Sequence, residues 1–313
     1  MQGHYTRQQV LAILRQRFPA LSVSELFFAG AGDDCDAFCV NRTLIFKFPR
    51  HPLASCALQK EAAILQYCEG RLPVAVPRVL FFSGEENAAD YPYCLLGEER
   101  MQGRFLSPAI YRQFSAKEQE NLAEQIAAFL TALHALPIPQ TLCALQNDEQ
   151  ERRKQAEALM QQWLERVPEP ERRVFMEQAV GLRKKRETAD KTQVLIHGDF
   201  SCNHILLDEQ RANMRGVIDF ADAAAKERAY DFVYLLEDSE EEIGSTFGQK
   251  VLAYYKGEQA EKIFAFAQQC QEREAFEQIL RCVQMKDEKA FQRCIAALYA
   301  QQHIREQKEA WSE

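Results

Sequence analysis

The sequence predicts an α+β protein of two lobes, a small β-rich N-lobe followed by a larger, mostly helical C-lobe. Three observations carry that expectation. The character of the chain changes once, near residue 97, from short β-like runs to helical periodicity. Within the helical part, two short apolar runs bracket the stretch from His197 to Asp219, so a few strands return there. A length of 313 residues leaves room for two lobes with a proper core. The expected boundaries are residues 1–97 for the N-lobe, 98–103 for a hinge and 104–313 for the C-lobe.

In the N-lobe, the β-like runs are Glu25–Ala29, Ala37–Val40, Thr43–Phe48, Arg78–Ser83 and Tyr93–Leu96, with a helix over Leu53–Tyr67. Gly30-Ala31-Gly32 follows the first run, and Asp33-Asp34-Cys35 turns into the second. Gly30 and Gly32 on such a hairpin let a backbone approach phosphates closely, although hairpins that bind nothing carry the same pattern. Lys47 lies in Leu44-Ile45-Phe46-Lys47-Phe48, a strand whose neighbours are all apolar. A lysine there either snorkels at an edge or holds nucleotide phosphates. Glu61, fourteen residues later on the helix, has the spacing of a glutamate that pairs with such a lysine. The run ending at Gly97 leads into Glu98-Glu99-Arg100-Met101, the expected hinge, whose backbone would meet a purine edge.

The C-lobe opens on a capping box, Ser115 with Glu118, followed by Leu122, Ile126, Phe129, Leu130 and Leu133 at helical spacing. Glu149–Glu165 and Glu171–Arg186 are charged and predict mostly solvated helices, separated at Pro168 and Pro170. Then comes V-L-I-H-G-D-F-S-C-N-H-I-L-L-D and, after nine more residues, I-D-F. Asp199 follows one apolar run, His204 is a metal-capable side chain five residues on, and Asp219 closes a second run. Phosphoryl transfer from a nucleotide needs a carboxylate to orient the attacking hydroxyl and two ligands for magnesium on the phosphates. A lone H-G-D triplet would mean little; the ordered set is specific.

These motifs resemble the aminoglycoside phosphotransferases, and among them the 2''-phosphotransferases. The resemblance rests on Gly32-Asp33-Asp34-Cys35-Asp36, on His197 through Asp208, and on Leu235-Leu236-Glu237-Asp238-Ser239-Glu240-Glu241-Glu242-Ile243-Gly244, and it spans nearly the whole chain. It implies a bilobal protein-kinase-like fold, Mg2+ as cofactor, GTP or ATP as phosphate donor, and an antibiotic resistance function. Asp199 is the implied catalytic carboxylate. Gly30, Gly32, Cys35, Lys47, Glu61, Glu98 and Arg100 are the implied nucleotide site. His204 and Asp219 are the implied metal ligands, with Asn203 as the alternative to His204. Asp222, Glu237 and Glu241 form an implied acidic wall for the ammonium groups of the substrate, Glu237 and Glu241 sharing one helical face. Ser201 is placed to touch the substrate beside Asp199, and Glu272, Glu274 and Glu277 are weaker candidates. His197 and Asp231 are expected to order the loop. The glycine that usually follows Asp-Phe is Ala221 here, and related enzymes often carry a bulky residue at Glu98.

Composition sets the competing classes. A net charge of −8 and a pI near 5.5 argue against nucleic-acid binding. The first residues lack the apolar core of a signal peptide, and no run approaches a membrane span, so a cytoplasmic protein, expected to be a monomer, is predicted. Ten cysteines without a C-x-x-C pair read as free thiols. A kinase of another alcohol, a macrolide or choline, would share the nucleotide parts but would not need the acidic wall. A protein kinase is disfavoured by the absence of an A-P-E-like segment. A non-catalytic nucleotide-binding regulator would not need every catalytic position filled.

Overall fold

The computed structural model describes residues 4–32, 34–84, 91–186, 192–209, 212–257, 260–271 and 274–310. They form two compact units, residues 1–142 with 193–260, and residues 143–192 with 261–313.

The first unit begins with helix α1 (Arg7–Arg17), whose Thr6–Gln9 capping box satisfies the free amides of its first turn. Strands β1 (Leu26–Ala31), β2 (Cys35–Val40) and β3 (Leu44–Pro49) follow, then α2 (Pro52–Cys68), β4 (Val79–Ser83) and β5 (Leu95–Glu99). The strands make one antiparallel sheet in the order β1-β2-β3-β5-β4. Alternation divides its faces. Leu44, Phe46 and Phe48 point into an apolar core with Val10, Leu14 and Phe38, while Ile45 and Lys47 point to the opposite face. Four strands exceed their expected bounds, β2 by two residues at its start and β3 by one at its end. Strand β1 continues through Gly30 and Ala31, which pair with Ala37 and Asp36 across a bulge. β5 continues through Glu98, held by Ile45 on one side and Val79 on the other. Pairing on both edges outweighs the weak β propensity of Gly-Glu-Glu.

After a short strand β6 (Arg104–Phe105) and a helical turn α3 (Pro108–Tyr111), helix α4 (Ala116–Ala135) starts at the Ser115–Glu118 capping box. It buries Leu122, Ile126, Phe129, Leu130 and Leu133, the stripe its spacing predicts. Helices α5 (Gln140–Leu164) and α6 (Glu169–Arg186) precede β7 (Gln193–Ile196), β8 (Ile205–Leu207), β9 (Met214–Val217) and β10 (Ala224–Glu227). β7 pairs with β10, and β8 sits between β6 and β9. α7 (Ser245–Tyr254) closes the first unit's helical part.

The second unit holds most of α5 and all of α6, together with α8 (Ala260–Gln271, from its second residue), α9 (Glu274–Gln284) and α10 (Glu288–Ala310). Most described positions of α5 and α6 are exposed or half-buried, as their charge predicts, but each helix also buries an apolar stripe. Trp163, Leu164 and Phe175 are buried against Ile279, Val283, Phe291 and Ile295, with Trp163 edge-on to Phe291 at 5.4 Å. Their apolar residues are sparse but share one stripe, which suffices to bury it. α5 also starts earlier than expected, directly after Pro139. Among the described residues no helix is long and apolar enough to cross a membrane, and every cysteine whose side chain is described is a free thiol.

Candidate active site

Lys47 anchors the site. Its ammonium donates to Glu61 Oε1 at 2.6 Å and lies 3.2 Å from Asp219 Oδ1. Glu61 is wholly buried, and the same Oε1 accepts from Phe220 N at 3.1 Å. One carboxylate of α2 thus fixes both the strand lysine and the backbone beside Asp219. Burial would lower the Lys47 pKa, but Asp219, Glu61 and Glu98 together raise it well above the usual value. Lys47 in turn holds Asp219 down at about 2, against burial. Burial raises Glu61 despite Lys47. Asp219 itself adopts φ 68°, a left-handed conformation costly for a residue with a Cβ. Ala221 has no positive φ, so a glycine is not required there.

The loop after β7 is held from below. Asp231 is fully buried and accepts from His197 N at 2.9 Å, Gly198 N at 2.8 Å and His134 Nε2 at 3.0 Å. His134 Nδ1 lies 2.7 Å from the Tyr255 hydroxyl. His197 Nε2 donates to Ile218 O at 3.0 Å, and its Nδ1 accepts from Asp199 N at 3.3 Å, so one ring ties the two motifs together. Burial lowers its pKa. Gly198 has φ 88°, and a Cβ there would run into the Asp222 carbonyl, so no other residue fits.

Asp199 leaves this loop with a third of its side chain exposed, and burial holds its carboxyl up at about 6, helped by Asp222 and Asp219 and opposed by His204. His204 ends a 3₁₀ turn, Cys202–His204. Its Nδ1 donates to Asp199 O at 2.8 Å, which in the neutral imidazole leaves the Nε2 lone pair facing Asp219 Oδ2, 3.7 Å away. Asn203 is exposed and its carbonyl accepts from the Ser201 hydroxyl. Ser201 is itself buried, with its Oγ also 3.2 Å from His204 Nδ1. No cluster of three or more metal-capable side chains exists among the described residues. Magnesium is commonly held by one or two carboxylates plus substrate phosphates, so the hard Asp219 oxygen fits that need, while the His204 nitrogen facing it is a softer donor than this ion usually takes.

The remaining nucleotide candidates line one face of the sheet. A Cβ on Gly30 or Gly32 would meet nothing within 4 Å, and neither has a positive φ. The protein's own packing therefore does not demand either glycine. Gly32 lies in the turn, with Gly32 N donating to Cys35 O at 3.1 Å; Asp33 lies outside the described residues. Burial pushes the Cys35 thiol up to about 12, with Lys47 opposing. Glu98 does not reach solvent: it is 4% exposed, Oε2 has no protein partner, and burial raises its carboxyl to about 8. Cross-strand pairs Ile45–Glu98 and Lys47–Leu96 put it diagonal to Lys47 on the same face. Arg100 is exposed; its backbone N donates to Thr43 O at 2.8 Å and its guanidinium to Arg42 O at 3.3 Å.

Asp222 is exposed beside Gly198. The idea that Glu237 and Glu241 share a helical face is wrong: a 3₁₀ turn ends at Leu236, and residues 237–244 are irregular until α7 begins. Gly244 at φ 107° and Asp238, which accepts from Ser245 N and Oγ at 2.7 and 2.8 Å, shape this segment instead. Glu237 is half-buried and Glu241 exposed. The buried member is Glu242, whose Oε2 accepts from Cys202 N at 3.2 Å. Nothing local distinguishes it from its acidic neighbours, and nothing local marks His134 or Tyr255 as supports for Asp231. Glu277 belongs to the second unit, where Arg153 pairs with it at 3.0 Å, Glu274 opens α9, and Glu272 lies outside the described residues.

An ammonium anchored by Glu61, a carboxylate held low, an imidazole nitrogen and a second carboxylate held high by burial thus converge within one unit. Known proteins share this frame. The gentamicin complex of APH(2'')-IIa matches with a TM-score of 0.76 and 21% identity, covering 95% of this chain and 97% of that one. ADP-bound aminoglycoside phosphotransferase APH(2'')-Ib matches at 0.74 and 23%, covering 94% and 97%. Macrolide 2'-phosphotransferase type I matches at 0.60 and 19%, covering 95% and 99%. These likenesses establish the kinase-like fold. A family model described as the phosphotransferase enzyme family, APH, matches residues 36–266, most of the length, and the chain therefore belongs to that family.

Proposed function

We propose that the protein transfers the γ-phosphoryl group of GTP or ATP to a hydroxyl, the 2'' hydroxyl, of an aminoglycoside, and thereby inactivates the antibiotic. The observation that carries this reading is the acidic surround of Asp199. Asp222 and Asp219 bear on its carboxyl, and the Glu237–Gly244 segment is bonded to the same loop through Cys202. Acidic groups packed this closely favour a polycationic alcohol over an uncharged one. In this reading Lys47 binds the phosphates, Glu61 holds Lys47, Asp199 orients the hydroxyl and accepts its proton, and Asp222, Glu237 and Glu241 bind ammonium groups. Asp219 and His204 would hold Mg2+, which when bound neutralises charge on the phosphates. Cys35, Gly30 and Gly32 border the phosphates, while Glu98 and Arg100 border the base.

A panel assay tests it: turnover of GTP and ATP with kanamycin, gentamicin, erythromycin, choline or no acceptor, with the product located by NMR. Phosphorylated kanamycin or gentamicin is the expected product. Exclusive turnover of erythromycin or choline would refute the substrate class and leave the kinase chemistry standing. Asp199→Asn should keep nucleotide affinity and lose on the order of 10²-fold in kcat; unchanged kcat would remove Asp199 from the chemistry.

A further inference from the structure

We propose that Glu242 is a positioning residue, joining the acidic segment to the turn that carries Asp199 and His204, so that a cation bound on the segment sets that turn for reaction. The inference rests on the aminoglycoside reading above. It begins with a backbone need. Cys202 opens the 3₁₀ turn Cys202–His204, and Ser201 before it makes no side-chain cap, its hydroxyl being turned to Asn203 and His204. The free amide at this helical start needs an acceptor from elsewhere. Glu242 supplies it, Oε2 accepting from Cys202 N at 3.2 Å across forty residues of sequence. The contact is reciprocated, since Cys202 Sγ donates to Glu241 O at 3.1 Å. The segment is in turn pinned to α7 by the paired Asp238–Ser245 bonds. A two-point latch therefore connects α7, the acidic segment and the catalytic turn.

The chemistry of the latch makes it responsive. Glu242 is 8% exposed, and the groups facing it are Glu237 and Asp199, both acidic, and the Cys202 thiol. Burial pushes its carboxyl up to about 7, with Glu237 and Asp199 adding to the effect and Cys202 N opposing it. With the segment empty, a fraction of Glu242 is protonated and makes only a neutral hydrogen bond to Cys202 N. An ammonium at Glu237 and Glu241 offsets their negative charge and favours the ionised form of Glu242. A charge-assisted bond is roughly twice as strong as a neutral one, so the catalytic turn is held more firmly when substrate is present. Binding then releases a proton from Glu242.

The test uses the full-length protein and two variants. Glu242→Gln keeps an acceptor for Cys202 N but no charge, and Glu242→Ala removes both. Glu242→Ala should lower kcat about tenfold or more for kanamycin and for acceptor-free nucleotide hydrolysis, with nucleotide KM within about twofold of wild type. Glu242→Gln should keep acceptor-free hydrolysis within about threefold of wild type and fall between wild type and Glu242→Ala in kcat for kanamycin. Calorimetry of kanamycin binding in two buffers of different ionisation enthalpy should show a proton release in wild type that Glu242→Gln lacks. Equal kcat per folded molecule in wild type and Glu242→Ala would overturn the positioning role, as would a loss explained wholly by a lower melting temperature. Identical proton release in wild type and Glu242→Gln would overturn the cation coupling. If wild type ignores kanamycin yet Glu242→Ala still slows acceptor-free hydrolysis, the substrate reading and the cation coupling fail while the loop role stands.

Discussion

Replacing Lys47 by methionine probes both stability and the proposed phosphate site, and its cost can be worked from the ion pairs. Glu61 has no exposed surface and Lys47 has 13% of its side chain exposed, so their 2.6 Å contact is a buried pair. Breaking such a pair by removing one partner costs about 3–5 kcal/mol, because the other charge stays buried. The second contact, to Asp219, contributes little to that cost, since Asp219 is 42% exposed and keeps its hydration. Phe220 N still donates to Glu61, which recovers part of the loss. A net loss of roughly 3 kcal/mol follows, or a fall in melting temperature of about 5 °C for a chain of this length. Glu61 is an acid whose folded pKa is already raised by burial, so the folded state binds its proton more tightly than the unfolded chain does. Stability therefore falls as pH rises from the unfolded pKa through the folded one. Without Lys47 the folded pKa moves higher still. The deficit of Lys47→Met should be small in acid and grow towards neutral pH. Adding Glu61→Leu should restore part of the stability, because an apolar pair replaces the buried charge, less the cost of leaving Phe220 N without its acceptor. It should not restore activity, since the ammonium for the phosphates is still missing. Thermal melts of the three variants at several pH values, with nucleotide KM, check this. A single variant as stable as wild type at neutral pH, or a double variant no more stable than the single, would refute the reasoning.

Three further outcomes are expected. Gly198→Ala forces a left-handed alanine against the Asp222 carbonyl, costing roughly 1–2 kcal/mol in backbone strain alone and displacing Asp199; a wild-type kcat would contradict the loop geometry. His204→Asn should remain active with a shifted magnesium requirement, whereas His204→Ala should not, and equal magnesium titrations of the two would exclude a metal role. Neutralising Asp222, Glu237 or Glu241 one at a time should raise the kanamycin KM several-fold to about a hundredfold, with nucleotide KM steady, on the basis of about 1.5–3 kcal/mol for a charge-assisted hydrogen bond. Those effects should shrink in high salt, and an unchanged KM in all three would move the substrate elsewhere.

The residues of the candidate site were legible because each sits where a local signal changes. An apolar run followed by H-G-D, a second run closed by I-D-F and a lysine inside an all-apolar strand are readable within ten residues of sequence. The capping box at Ser115 and the stripe of α4 were equally local. What misled was composition read as exposure. Gly-Glu-Glu at the end of β5 reads as a turn, yet two neighbouring strands hold it in a sheet and bury Glu98. The run Glu237–Glu242 reads as an acidic helix with Glu237 and Glu241 on one face, yet it folds irregularly and buries Glu242.

By itself, the sequence determined most of the order of strands and helices and which side chains are candidates for the site, because periodicity, turn chemistry and capping act over a few residues. Only the tertiary structure decided which partners those side chains take. Asp231 supports the loop at His197 from 34 positions away, Glu61 reaches Phe220 across 159, and His134 joins Asp231 across 97. Such pairings depend on where packed elements bring distant backbone amides and carboxylates together. The same packing sets how far each carboxyl is withdrawn from water, and so which of the many acidic residues are held down as anions and which are pushed towards the neutral form.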